Sequence, residues 1–230
     1  MLASALLQQG HDVITSIAGR TSAPTMPAGK VRVGGFGGRD GLQRFLGDQR
    51  IDIIADATHP FAAQMSVNAF AAGRDCGIDY VRLDRPAWRA GEGDRWIMAQ
   101  STSEAARILP RAARIFLTIG SKRVHDFTGR ADLRGLIRTI EPLSEPVPEA
   151  WSMMVARPPF TVEEETSLLR QHKLDVVVTK NAGGELTAAK LVAARELGLQ
   201  VVMIGRPLKP RARTAETVEE MVRLVSDRAS

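Results

Sequence analysis

Two short polar segments carry most of the chemistry this chain can offer: Asp56-Ala57-Thr58-His59-Pro60-Phe61 and Thr179-Lys180-Asn181-Ala182-Gly183-Gly184. Each follows a run of apolar, β-branched residues and precedes a stretch that reads as helix. In open α/β sheets, ligands bind at such junctions, beyond the carboxyl ends of the strands. Pro60 suits a first helical turn, which places Thr58 or His59 near unpaired backbone N–H groups. A helix start of that kind attracts phosphate or carboxylate. His59 can donate to an anion or move a proton there; a histidine at a helix start also serves as a simple cap. In the second segment Lys180 can neutralise a carboxylate or phosphate and Asn181 offers an amide. Gly183 and Gly184 allow close backbone approach. Lys190, further along the following helix, reads as a solvated position, and Gly120-Ser121-Lys122 is a weaker third junction.

Two glycine-containing turns add to these. Ile17-Ala18-Gly19-Arg20-Thr21 falls where a dinucleotide-binding unit ends its second strand. An acidic residue there binds a ribose 2′-hydroxyl, whereas arginine suits a 2′-phosphate. Arg20 offers a planar donor fork and Thr21 a hydroxyl; the plainer alternative is a surface arginine in a turn. Gly34-Gly35-Phe36-Gly37-Gly38 is neither a Walker loop nor a GxGxxG opening. It is either a wall that a ligand approaches closely or a flexible turn. No Cys/His cluster points to a metal, and no nucleophile–base pair stands out.

The elements that must position these residues alternate along the chain. Strands are expected at 13–18, 31–33, 51–55, 80–83, 96–99, 115–119, 136–140, 176–178 and 201–204, the last being the final strand. Helices are expected around Leu2–Leu7, Leu42–Leu46, after Pro60 (burying Phe61, Met65 and Ala69, ending at Gly77), from Ser101, from Thr161, through Leu191, and from Thr217. Ser101 with Glu104, Thr161 with Glu164, and Thr217 with Glu220 have capping-box spacing. Alternation of this kind implies α/β architecture with parallel sheets and crossover helices. The polar, glycine-containing stretch 90–94 marks a boundary, giving domains 1–90 and 91–230.

Composition narrows the classes. The net charge of +5 raises nucleic acid as a partner, but basic residues are scattered and aromatics make up 5%. Stacking platforms are therefore scarce, and a small polyanionic ligand explains the charge equally well. The single cysteine, Cys76, excludes an internal disulfide and favours a reducing compartment, the cytoplasm. The opening Met1–Leu7 lacks a basic leader and is cut by Gln8 and Gln9, so a signal peptide is not expected. No stretch is long enough to span a bilayer.

Taken in order, Ser16–Thr21, Val31–Gly37, Asp56–Ala62, Leu117–Gly120, Pro159–Thr161 and Val178–Gly184 resemble the precorrin-6A reductase family of cobalamin biosynthesis, including its cobalt-precorrin-6A members. The resemblance covers nearly the whole chain. It implies two Rossmann-like parallel-sheet domains with an inter-domain cleft, and an oxidoreductase that moves hydride from NADPH to a ring carbon–carbon double bond of a tetrapyrrole. It places Gly19, Arg20, Thr21, Gly34, Gly35, Thr58, His59 and Phe61 at the cofactor, and Lys180, Asn181, Gly183 and Gly184 at the substrate. His59 and Lys180 are the catalytic candidates, with water an alternative proton source. Contact with other enzymes of the corrin pathway is a further implication. The family opens with a strand and a Gly-Gly-Thr loop, whereas this chain opens within the first helix; the expectation is a true start upstream of Met1. Rival readings are another NADP-linked α/β oxidoreductase acting on a smaller anion, and a non-catalytic nucleotide- or tetrapyrrole-binding module.

Overall fold

The computed structural model describes residues 1–19 and 26–227. Arg20 and Thr21 lie outside the described residues. The chain forms two compact units, one of Met1–Pro86 with Pro207–Ser230, the other of Ala87–Arg206. In the first unit the order is α1 (Leu2–Gln8), β1 (Ile14–Ile17), β2 (Lys30–Val33), α2 (Arg39–Asp48), β3 (Ile53–Asp56), α3 (Ala63–Cys76) and β4 (Asp79–Leu83). The second unit holds β5 (Arg95–Ala99), α4 (Thr102–Ile108), β6 (Arg114–Thr118), α5 (His125–Thr128), β7 (Arg134–Thr139), β8 (Trp151–Val155), α6 (Val162–Gln171), β9 (Val176–Lys180), α7 (Ala189–Glu196) and β10 (Gln200–Ile204). The chain then returns to the first unit as β11 (Arg213–Ala215) and α8 (Val218–Ser226). No helix of the described residues is long and apolar enough to cross a membrane.

Every strand pair among the described residues is parallel, as the alternation implied. The second unit carries one six-stranded sheet, ordered β5-β10-β9-β6-β7-β8. Its central strands are apolar on both sides because helices cover both faces. Phe116, Val177, Val201 and Met203 pack under α6 and α7 with Leu169, Leu191 and Ala194. Their alternating neighbours Ile115, Leu117, Val178 and Val202 are buried as well. Glycine opens the β6–β7 pair: a Cβ on Gly135 would lie 2.0 Å from the Ile115 carbonyl oxygen.

The first unit has a three-stranded sheet, β11-β4-β3, and a separate β1-β2 pair. Helices α2 and α3 close one cluster with Leu42, Leu46, Ala69 and Ala72; α8 closes another, joining Met221 to Val81 and Ala215. This differs from the expected division at residue 90. Segment 207–227 belongs with the first unit, because β11 pairs with β4 and Met221 is fully buried beside it. The expectation of β10 as the last strand fails for the same reason: Arg213-Thr214-Ala215 has no apolar run, and its pairing comes from the β4 edge. Strand β8 was also unforeseen. It is a sheet edge, with Met153 and Val155 exposed.

Candidate functional site

In the first unit the expected residues follow the carboxyl ends of β1, β2 and β3. Gly19 and Gly34 come together: the Gly34 N–H donates to the Ile17 carbonyl at 2.9 Å, and a Cβ on Gly19 would sit 3.8 Å from the Gly34 nitrogen. Arg32, which sequence reasoning did not single out, shapes the glycine loop. Its guanidinium donates to the carbonyls of Gly34 (2.6 Å) and Gly35 (2.8 Å) and lies over the Phe36 ring at 4.1 Å. Cβ atoms on Gly34, Gly35, Gly37 and Gly38 would meet nothing within 4 Å. The loop is thus held from one side and open on the other, which lets a flat or phosphorylated ligand approach the backbone.

The Thr58-His59-Pro60 segment differs from expectation. Helix α3 starts at Ala63 with Ala62 as an N-cap that makes no side-chain bond. Pro60 and Phe61 form a turn, closed by the Ala62 N–H donating to the His59 carbonyl at 2.7 Å. Thr58 and His59 therefore do not cap the helix. Phe61 is half-buried ahead of α3, and only Ala69 of the three expected core residues is fully buried. The His59 ring packs on the Phe61 ring, centroids 5.8 Å apart, and His59 Nδ1 accepts the Phe61 N–H at 3.2 Å. An accepting Nδ1 leaves the proton of the neutral ring on Nε2. Asp56, buried at the end of β3, accepts the Thr58 N–H at 3.0 Å and the Tyr80 hydroxyl at 2.5 Å.

In the second unit Lys180 ends β9, beside the β6 end, with Thr118 opposite Thr179. Burial lowers the Lys180 pKa, and the nearby charges of Lys122 and Arg123 lower it further. The weaker junction at Gly120-Ser121-Lys122 thereby joins the stronger one as a basic cluster, to which Arg123 is an unanticipated addition. Asn181 is spent differently from expectation. Its side chain accepts the Trp88 N–H at 2.8 Å and donates to the Trp88 carbonyl at 3.0 Å. The Trp88 indole N–H donates to the Gly184 carbonyl at 2.9 Å, and Arg206 donates to the carbonyls of Asn181 (2.9 Å) and Ala182 (3.2 Å). Trp88 and Arg206 thus anchor the start and the end of this unit on one loop. Gly183 and Gly184 both have positive φ, 69° and 80°. Helix α7 begins only at Ala189, so Lys180 ends a strand and is not at a helix start.

Lys190 is 3% exposed and not solvated as expected. Its Nζ donates to the Thr187 carbonyl at 2.5 Å and lies 5.1 Å from the Trp88 ring centre. A buried charge pair, Arg138 to Glu165 at 2.7 Å, lies in the same unit, with Arg138 3.8 Å over the Phe160 ring.

Comparison with known proteins places the chain as a whole. The family model described as "Precorrin-6x reductase CbiJ/CobK" matches residues 1–226. A precorrin-6A reductase of Rhodococcus erythropolis is 46% identical over 96% of this chain and 89% of its own length. One from Rhodobacter capsulatus is 42% identical over 98% and 91%. A cobalt-precorrin-6A reductase of Priestia megaterium is 31% identical over 96% and 91%. The solved structure titled CobK precorrin-6A reductase superposes with a TM-score of 0.94 at 41% identity, covering 100% of this chain and 92% of that one.

Proposed function

Since the chain belongs to the precorrin-6x reductase family, we propose that it reduces one ring carbon–carbon double bond of precorrin-6A in cobalamin biosynthesis, with NADPH as the reductant. Family membership makes it a reductase, and that membership over nearly the entire chain is the observation that carries the reading. The open glycine loop is what supports a dinucleotide in particular. A ledge of four glycines, clear of neighbours where Cβ atoms would project and braced from behind by Arg32, fits a cofactor that must approach main chain closely.

On this reading Gly19, Gly34 and Gly35 form the cofactor wall, and Arg20 with Thr21 takes the adenosine 2′-phosphate. Thr58, His59 and Phe61 serve the nicotinamide end. When bound, NADPH supplies the hydride, and a proton then reaches the neighbouring ring carbon. Lys180, backed by Lys122 and Arg123, receives carboxylate arms of the substrate, and Gly183 and Gly184 let the macrocycle approach the main chain. Asn181 serves by holding that loop to Trp88. His59 offers an Nε2–H donor, and Lys180, whose ammonium is destabilised by burial and like charge, gives up a proton more readily than a solvated lysine. Positioning and electrostatics carry most of the rate. The higher identity to relatives named for precorrin-6A than to the one named for cobalt-precorrin-6A supports a ring without cobalt.

The test is coenzyme consumption by the full protein offered precorrin-6A. Oxidation of NADPH with formation of the dihydro product is expected; no consumption with either coenzyme refutes the proposal. Arg20→Glu is expected to weaken NADPH far more than NADH, and equal loss for both removes the 2′-phosphate assignment.

A further inference from the structure

Asp56 is 4% exposed, at the last position of β3. A carboxylate in such a place is costly unless several donors serve it. Here the Thr58 N–H serves Oδ1 and the Tyr80 hydroxyl serves Oδ2, at 3.0 and 2.5 Å. The Thr58 hydroxyl in turn lies 3.4 Å from the hydroxyl of Ser66, which is fully buried on α3. Burial pushes the Asp56 carboxyl up, but hydrogen bonds from Ser66, Tyr80 and Thr58 outweigh it and hold it below its ordinary value. One ionised group thus ties the end of β3 to β4, to α3 and to the turn that follows.

These bonds are not what joins β3 to β4. The parallel ladder from Ile53 to Asp56 and the apolar cluster around Leu42 and Ala72 already do that. They specify the path of the chain from Asp56 to Phe61. Along that path the Phe61 N–H donates to His59 Nδ1 and the Ala62 N–H to the His59 carbonyl. The backbone that Asp56 holds is therefore the same backbone that fixes which His59 nitrogen accepts and which carries the proton. We infer that Asp56 is a positioning residue: through Thr58 it holds the turn that sets the orientation and tautomer in which His59 meets the ligand. This rests on the reading of Thr58, His59 and Phe61 as site residues.

The experiment compares Asp56→Ala, Asp56→Asn and Tyr80→Phe in the full chain, by ¹⁵N NMR of histidine-labelled protein without ligand and by steady-state kinetics. In Asp56→Ala the His59 ring signals are expected to leave the single Nε2–H form, and in uniformly ¹⁵N-labelled protein the Thr58 and Phe61 amides are expected to exchange faster. kcat should fall roughly 10- to 100-fold, the scale of a displaced reacting group, with a smaller change in KM. Asp56→Asn keeps an acceptor for Thr58 and should restore both the ring signals and most of kcat. Tyr80→Phe spares the Thr58 bond and should leave the ring signals in place, which reports that the fold tolerates a change at this hub. Unaltered His59 signals in Asp56→Ala overturn the inference directly. Altered signals with unaltered kcat overturn it by a different route, because the turn would then be held by Asp56 yet lie outside the reacting site.

Discussion

Lys190 shows how one residue can escape a reading of the sequence. Its position in a stretch of mixed polar and apolar residues suggests a lysine in water, yet it sits at the second residue of α7, against the Trp88 ring, and is 3% exposed. Burial, and then the charge of Arg138, lowers its pKa to about 8, with Glu165 opposing. The consequence for stability has a definite sign. The unfolded chain binds the Lys190 proton more tightly, so stability is greatest above the ordinary lysine value and is lost as pH falls through about 8. Urea unfolding between neutral and alkaline pH is expected to show this rise, and Lys190→Met to flatten it by a few kcal/mol, at about 1.4 kcal/mol per pKa unit. A slope retained in Lys190→Met would place its origin elsewhere. Asn181 carries the complementary lesson. Its presence at a strand end was legible, but its amide is used up by Trp88, ninety-three positions away in the chain, and no local pattern reveals such a partner.

Elements were legible where local physics decides them. The Thr161–Glu164 capping box is complete, with Thr161 Oγ1 accepting the Glu164 N–H and Glu164 accepting the Thr161 N–H. Ser101 and Thr217 cap their helices with the side chain, while their glutamates reach back to Gln100 and Glu216 instead. Gly77 adopts the left-handed conformation that ends α3. Strands with continuous apolar runs, such as β6, β9 and β10, were equally plain. Strands β8 and β11 were not, because each sits at a sheet edge with mixed side chains and owes its conformation to the ladder it joins. The start of α3 was misplaced because Pro60 permits both a helix start and a turn, and the His59–Ala62 bond selects the turn. At this scale Gly135 is the sharpest test. Its φ of +153° and the Ile115 main chain leave no room for a side chain. Gly135→Ala is expected to lower the thermal midpoint by several degrees, consistent with about 1–3 kcal/mol for overpacking. An unchanged midpoint would contradict so close a β6–β7 approach.

For the molecule as a whole, the two units differ in how the chain builds them. Ala87–Arg206 is continuous and contains a complete six-stranded sheet, so the isolated segment 87–206 is expected to unfold cooperatively. A fragment ending at Pro86 loses β11 and α8, which leaves Val81 without Ala215 and Met221; it should bind hydrophobic dyes and show no cooperative transition. Cooperative unfolding of that fragment would show that the returning segment is dispensable. The net charge of +5 belongs to this scale too, and if the substrate is the carboxylate-rich ring, its KM should rise with salt. The amino-acid sequence by itself determined the α/β class, the parallel strands, the helix caps and the two polar junctions, since periodicity, capping and turn chemistry act over a few residues. Tertiary structure alone decided that 207–227 returns to the first unit, that Lys190 is buried, that Asn181 clasps Trp88, and that the Tyr80 hydroxyl meets Asp56. Each of these depends on groups far apart in the chain, and only packing and burial determine which of them meet.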